Sequence, residues 1–190
     1  MKNIAIFASG SGSNAEVIVR HFMDSDLARV HMVVTDRKDA GVIERMKSFD
    51  VRMKVITYSQ LTNGDLLESL KVARIDLLVL AGFLRLIPTD IIEAFPQRII
   101  NIHPSLLPDF GGKGMYGMHV HRAVIESEAE ESGITIHYVN EAFDEGEIIF
   151  QDTVEVYEDD TPEDLAYKVQ QLEHRHYPDV IEWVLAQFDI

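Results

Sequence analysis

The sequence contains no cysteine. Disulfides, thiolate nucleophiles and cysteine-held zinc are excluded, and a reducing compartment is permitted. Long hydrophobic runs are missing too. The N-terminal stretch Ile4, Ala5, Ile6, Phe7, Ala8 ends at Ser9 and Gly10, too short for a leader peptide, and nothing later approaches membrane-spanning length. The expectation is a cytoplasmic protein with no membrane partner. Positive charge is also scarce, with 17 Lys and Arg against 32 Asp and Glu and a net charge of -15. The deficit is local: Ala123 to Tyr167 holds 15 acids and no Lys or Arg, and the rest holds 17 of each. Such a chain repels a polyanion, so no nucleic-acid partner is expected. A small phosphorylated ligand at the charge-balanced N-terminal half remains compatible. The acidic segment reads as a solvated, solubilising surface.

Hydrophobic residues make up 46% and charged residues 26% of 190 positions, which suits one globular domain spanning 1–190. There is no internal repeat and no low-complexity linker. Residues 2–9 form an apolar run that stops at glycine, as a buried parallel strand does. Residues 13–24 follow with helical spacing, 30–35 read as a strand, 41–49 as a helix, 52–57 as a strand and 64–73 as a helix. Residues 76–81 are the most hydrophobic strand and the candidate centre of a sheet. Pro88, Thr89 and Asp90 start a helix through Phe95, and 98–102 form the next strand. This alternation predicts an α/β fold with a doubly wound, mostly parallel sheet and helices on both faces. Later, 133–140 and 148–156 are alternating strands with a short link, which predicts an antiparallel strand in the C-terminal part. Thr161, Pro162, Glu163 and Asp164 form a helix start, and that helix is expected to reach about Gln187 with a kink or break at Pro178.

Gly10-Ser11-Gly12-Ser13-Asn14-Ala15 lies between the first strand and first helix. Unpaired N–H groups at a helix N-terminus attract anions, glycines allow close backbone approach, and Ser13 and Asn14 add donors. Phosphate binding is the functional reading; a tight turn with a capping serine is the plainer one. The motif also fits a dinucleotide fingerprint, with Asp36 after the second strand as a candidate ribose-holding acid. An NAD-type protein therefore stays open on this motif alone.

Asn101 and His103 end a predicted interior strand. Residues two apart face the same side, and ligand crevices lie off the carboxyl ends of such strands. Asn supplies a neutral donor for an oxyanion and His an acid or base near neutral pH. A histidine at a strand end is commonly structural, so the pair alone decides little.

The longer string Asn101-Ile102-His103-Pro104-Ser105-Leu106-Leu107-Pro108 resembles the signature of the folate-dependent formyltransferases, and Asp144-Glu145-Gly146 resembles their Asp-x-Gly loop. The turn Gly10 to Asn14, the segment Ala81-Gly82-Phe83-Leu84-Arg85, and Gln170, Glu173, His174, Tyr177 and Pro178 fit the same family in order along nearly the whole chain. The resemblance implies transfer of a formyl group from 10-formyltetrahydrofolate, as co-substrate, to the amine of glycinamide ribonucleotide, by direct attack and with no metal. It implies catalytic roles for Asn101, His103 and Asp144. Gly12, Ser13 and Asn14 would hold the phosphate and Glu173 the ribose. Phe83, Leu84, Arg85, Leu86, Asn101, Val139 and Asn140 would bind the folate. Residues 1–100 would form the phosphate-binding half and 101–190 the catalytic and folate-binding half. The family also suggests a cis bond at Leu107–Pro108 and leaves monomer and homodimer both open.

The chain departs from the family pattern in three places. The segment 109–118 is longer than the family's form and carries Gly111, Gly112, Gly114 and Gly117, so it is either a lid or a surface insertion, with Lys113 a candidate phosphate contact. Glu147, not proline, follows Gly146. Position 170 is Gln where some members carry a cation, which shifts phosphate binding toward the backbone turn. His119 and His121 invite a metal reading, but no carboxylate or cysteine completes a ligand pattern; the resemblance places them near the active-site loop.

Overall fold

A computed structural model of the chain describes residues 1–188. Seven strands form one sheet: β1 (Lys2–Phe7), β2 (Ala28–Thr35), β3 (Arg52–Val55), β4 (Leu77–Leu80), β5 (Ile99–His103), β6 (Glu131–Tyr138) and β7 (Ile148–Glu155). Their order is β3-β2-β1-β4-β5-β6-β7. The pairs from β3 through β5 are parallel, whereas β6 is antiparallel to both β5 and β7. One strand of the C-terminal part thus runs against the rest, as expected.

The central strands are apolar on both faces, so the sheet must be covered twice. Side chains of β1 alternate: Ile4 and Ile6 enter one core, Ala5 and Phe7 the other. In β4, Leu77 and Val79 join the first core, Leu78 and Leu80 the second. The first core is closed by α1 (Ser13–Phe22), α2 (Gly41–Met46), α6 (Met118–Glu126) and α7 (Pro162–Gln187). The second is closed by α3 (Tyr58–Thr62), α4 (Asp65–Val72) and α5 (Thr89–Ala94). In α1 the buried residues Ala15, Ile18, Val19 and Phe22 recur at helical spacing and form one stripe. Each fully buried Leu, Val or Phe of these layers contributes about 1.5–3 kcal/mol.

Two features differ from the sequence expectation. Helices α3 and α6 form where the sequence pattern predicts none. One helix runs from Pro162 to Gln187 unbroken by Pro178. Pro178 costs one backbone hydrogen bond, but Tyr177, Pro178, Val180, Ile181, Val184 and Leu185 are all buried around it. That burial offsets the loss. Thr161 and Asp164 make the capping box that starts the helix. Among the described residues no helix is long and apolar enough to cross a membrane.

The chain leaves β1 toward β2 on one side and returns to β4 on the other. The crevice at the carboxyl ends of β1 and β4 is therefore the topological switch point, where open α/β sheets take ligands.

Candidate active site

A cleft of about 620 Å³ opens at that point, a size suited to small-molecule ligands. Its walls come from the turn after β1, the segment after β4, the end of β5, the 112–118 segment, the β6–β7 loop and α7.

At one end lies the glycine turn. Gly12 has φ +76, and a Cβ there would meet Val42 at 2.5 Å, so only glycine fits. Helix α1 begins directly after it and presents its free N–H groups at the cleft wall. From α7, Gln170 Nε2 donates to Ser13 Oγ at 3.3 Å, and Asn14 Nδ2 donates to Glu173 Oε2 at 2.8 Å. Asn14 Oδ1 is buried without a hydrogen-bond partner. Burial raises the Glu173 carboxyl to about 7, against the opposing pull of the Asn14 hydrogen bond. Arg37 and Lys113 also line the cleft.

Asp36, the candidate ribose acid of the dinucleotide reading, is already engaged. Ser9 Oγ donates to its Oδ1 at 2.6 Å and Arg85 Nε to its Oδ2 at 2.8 Å. Burial pushes this carboxyl up, but Ser9 and Arg85 outweigh it and hold it below the ordinary range. Ser9 Oγ also accepts the Leu84 N–H at 3.1 Å. Asp36 thus fixes the segment after β4 instead of facing a ligand. That segment carries Phe83, packed edge-on against Phe7 at 5.3 Å, and the exposed Leu86. Both line the cleft with Leu84, Arg85 and Val139. Asn140 lies off the cleft wall; its Oδ1 accepts the Ala142 N–H at 3.0 Å and so shapes the loop.

The third group gathers around Asp144. Asn101 Nδ2 donates to Asp144 Oδ1 at 3.4 Å, His103 Nδ1 lies 3.5 Å from Asp144 Oδ2, and the Gly112 N–H donates to Oδ2 at 3.0 Å. Asp144 has φ +58, an unfavourable backbone state for a non-glycine residue. Burial raises its carboxyl, but the rings of His137 and His103 and the Gly112 N–H together hold it below its ordinary value. His103 is 3% exposed. Burial lowers its imidazole; Asp144 and the Phe110 carbonyl pull the other way without winning. His103 Nε2 lies 2.8 Å from the Phe110 carbonyl oxygen, a pure acceptor. The single proton of the neutral ring therefore sits on Nε2, and the Nδ1 lone pair faces the carboxylate. A proton arriving at Nδ1 would be shared with Asp144 at once.

His137 completes the cluster and escaped the sequence reading. Its Nδ1 is 2.8 Å from the Tyr138 carbonyl, so Nδ1 carries the proton and Nε2 accepts from Asn101 Nδ2 at 3.1 Å. This orients the Asn101 amide, leaving its second N–H on the side of Asp144. Register could have revealed it, since Asn101 pairs with His137 across β5 and β6. The loop between His103 and Gly112 is braced by buried Thr135, whose Oγ1 donates to the Ser105 carbonyl at 2.7 Å and accepts the Leu107 N–H at 2.9 Å. The Leu107–Pro108 bond is cis. Among the described residues, no group of three or more His, Cys, Asp and Glu is arranged to hold a metal ion.

The arrangement offers a neutral amide donor, an imidazole with a free lone pair and a largely buried carboxylate, all within one corner of the cleft. These are parts for moving a proton while stabilising charge on a neighbouring oxygen.

A profile of the family described as "Formyl transferase" matches residues 2–181. The chain is 43% identical over 187 residues to "Phosphoribosylglycinamide formyltransferase, chloroplastic" of Arabidopsis thaliana, covering 95% of this chain and 64% of that protein. It is 41% identical to the Vigna unguiculata protein of the same name, covering 95% and 60%. The chain thus spans less than two thirds of the length of these plant relatives. Against "Phosphoribosylglycinamide formyltransferase" of Bacillus subtilis it is 38% identical, covering 98% and 96%. Among solved structures, glycinamide ribonucleotide transformylase 1 from Symbiobacterium toebii superposes with a TM-score of 0.90 at 36% identity, covering 98% of this chain and 89% of that one.

Proposed function

The chain belongs to the formyl transferase family, and on that premise we propose that it transfers a formyl group from 10-formyltetrahydrofolate to the amine of glycinamide ribonucleotide, a step of purine synthesis. The observation that carries this reading is the Asp144 carboxylate, held between Asn101 and His103 in a cleft that also takes in the glycine turn at the N-terminus of α1.

In this reading the phosphate sits on the backbone of Gly12, Ser13 and Asn14, and Glu173 accepts from the ribose hydroxyls. Phe83, Leu84, Arg85, Leu86, Asn101 and Val139 hold the folate, with Asn140 shaping its loop. Residues 1–190 act as one domain, the first half supplying the phosphate turn and the second the catalytic groups and most of the folate loop. The substrate amine attacks the formyl carbon. A C–N bond forms while the carbonyl electron pair moves onto oxygen. Asn101 turns an N–H from Asp144 onto that oxyanion, and His103 stabilises it by charge once it holds the amine's proton. The amine's proton passes to the His103–Asp144 pair and then to the folate nitrogen as its C–N bond breaks. No bond to the enzyme forms, so the gain lies in bringing two substrates together and stabilising the developing charge.

Isothermal titration tests the reading. Glycinamide ribonucleotide binds and NAD does not; tight NAD binding with no affinity for the ribonucleotide overturns it.

A further inference from the structure

His121, in the first turn of α6, has no part in the steps above. It is 5% exposed and forms part of the cleft wall. Its Nδ1 is sealed in and has no hydrogen-bond partner. Burial lowers the ring to about 4, and charge on His103 pushes the same way, so it is neutral at physiological pH. A neutral imidazole carries one N–H. Orphaned buried N–H groups are rarer than orphaned acceptors. The proton therefore belongs on Nε2, which is not sealed in, on a residue that forms part of the cleft wall.

Its surroundings say what such a donor would meet. Helix α6 packs against α7, which brings Gln170 and Glu173 onto Ser13 and Asn14. On the other side, His121 is near enough to His103 to feel its charge. The cleft wall that His121 helps to form also holds Asn14, Gln170 and Glu173 on the side of the glycine turn and Asn101, His103 and Asp144 on the side of the carboxylate. In glycinamide ribonucleotide the group joining the phosphate and ribose end to the reacting amine is an amide, and its carbonyl oxygen is an acceptor. We propose that His121 donates a hydrogen bond from Nε2 to that carbonyl oxygen and so selects an amide-linked amine. The proposal rests on the substrate reading given above.

The test uses steady-state formyl transfer by the full chain and two variants. His121→Phe fills the same space without a donor; His121→Gln restores one. The second substrate is the thioamide analogue of glycinamide ribonucleotide, in which sulfur, a weaker acceptor, replaces the oxygen. His121→Phe raises the KM for glycinamide ribonucleotide about tenfold, the loss expected for one neutral hydrogen bond. His121→Gln recovers most of this, the folate KM stays put, and the thioamide KM barely responds to His121→Phe. A KM for glycinamide ribonucleotide within about twofold of wild type in His121→Phe overturns the proposal. So does an equal rise for the thioamide or for folate. If the variant turns over too slowly, titration calorimetry reads the same comparison as Kd. Wild-type protein that transfers no formyl group to glycinamide ribonucleotide removes the substrate reading, and this proposal with it.

Discussion

Replacing Glu173 with Gln should make the protein less sensitive to pH and, above neutrality, more stable. The Glu173 carboxyl is buried and raised to about 7, against an ordinary value of 4.5. Its folded-state pKa exceeds its unfolded one, so the stability it contributes is fully present below about 4.5 and is lost as pH rises through about 7. Between pH 5 and pH 8 that loss amounts to roughly 2.5 kcal/mol, at about 1.4 kcal/mol per unit. Gln is nearly isosteric, stays neutral and can still accept from Asn14 Nδ2. The variant should therefore match or trail the wild type at pH 5, and the gap should shift in its favour by roughly 2.5 kcal/mol at pH 8. At about 2–4 °C per kcal/mol for a chain of this size, the relative Tm moves by roughly 5–10 °C. Paired thermal or urea unfolding of the two proteins at both pH values reads this directly. A difference flat with pH, within about 0.5 kcal/mol, would refute the reasoning. The same variant should bind glycinamide ribonucleotide more weakly, since a carboxylate held where charging is costly is a mark of function rather than of stability.

Two further outcomes follow from particular contacts. Asn14→Ala removes a side-chain donor at the glycine turn proposed to hold phosphate and should raise the KM for the phosphorylated substrate about tenfold while sparing that for folate; steady-state kinetics in both substrates checks it, and equal effects contradict the phosphate assignment. Gly146→Ala should disrupt the loop that carries Asp144, because its Cβ would lie 1.6 Å from the Tyr138 carbonyl oxygen; the expected result is loss of turnover with a Tm lowered by several degrees, and unaltered turnover contradicts it.

Much of this was legible in the sequence because burial on both faces of β1 and β4 forces uninterrupted apolar runs. The glycine turn was legible because Gly12 alone fits against Val42. The string from Asn101 to Pro108 was legible through a family resemblance more than through physics. Helix α6 was not, because its stretch follows four glycines and its histidines drew a metal reading. The five-residue α3 does carry a readable signal, the Thr57 and Gln60 capping box. Pro178 does not split α7 because the burial that carries the helix past it is tertiary. His137 was hidden because its contact with Asn101 depends on strand register, which one strand's pattern does not contain. Asn140 lay in the expected folate loop, yet its side chain folds back onto Ala142.

The most direct measurement is turnover of purified protein with 10-formyltetrahydrofolate and glycinamide ribonucleotide, run beside His103→Ala and Asp144→Asn. The account predicts formyl transfer by the wild type and a fall of about 100-fold or more in kcat for each variant, with the fold retained. Near-normal kcat in either variant, or no transfer by the wild type, would contradict it.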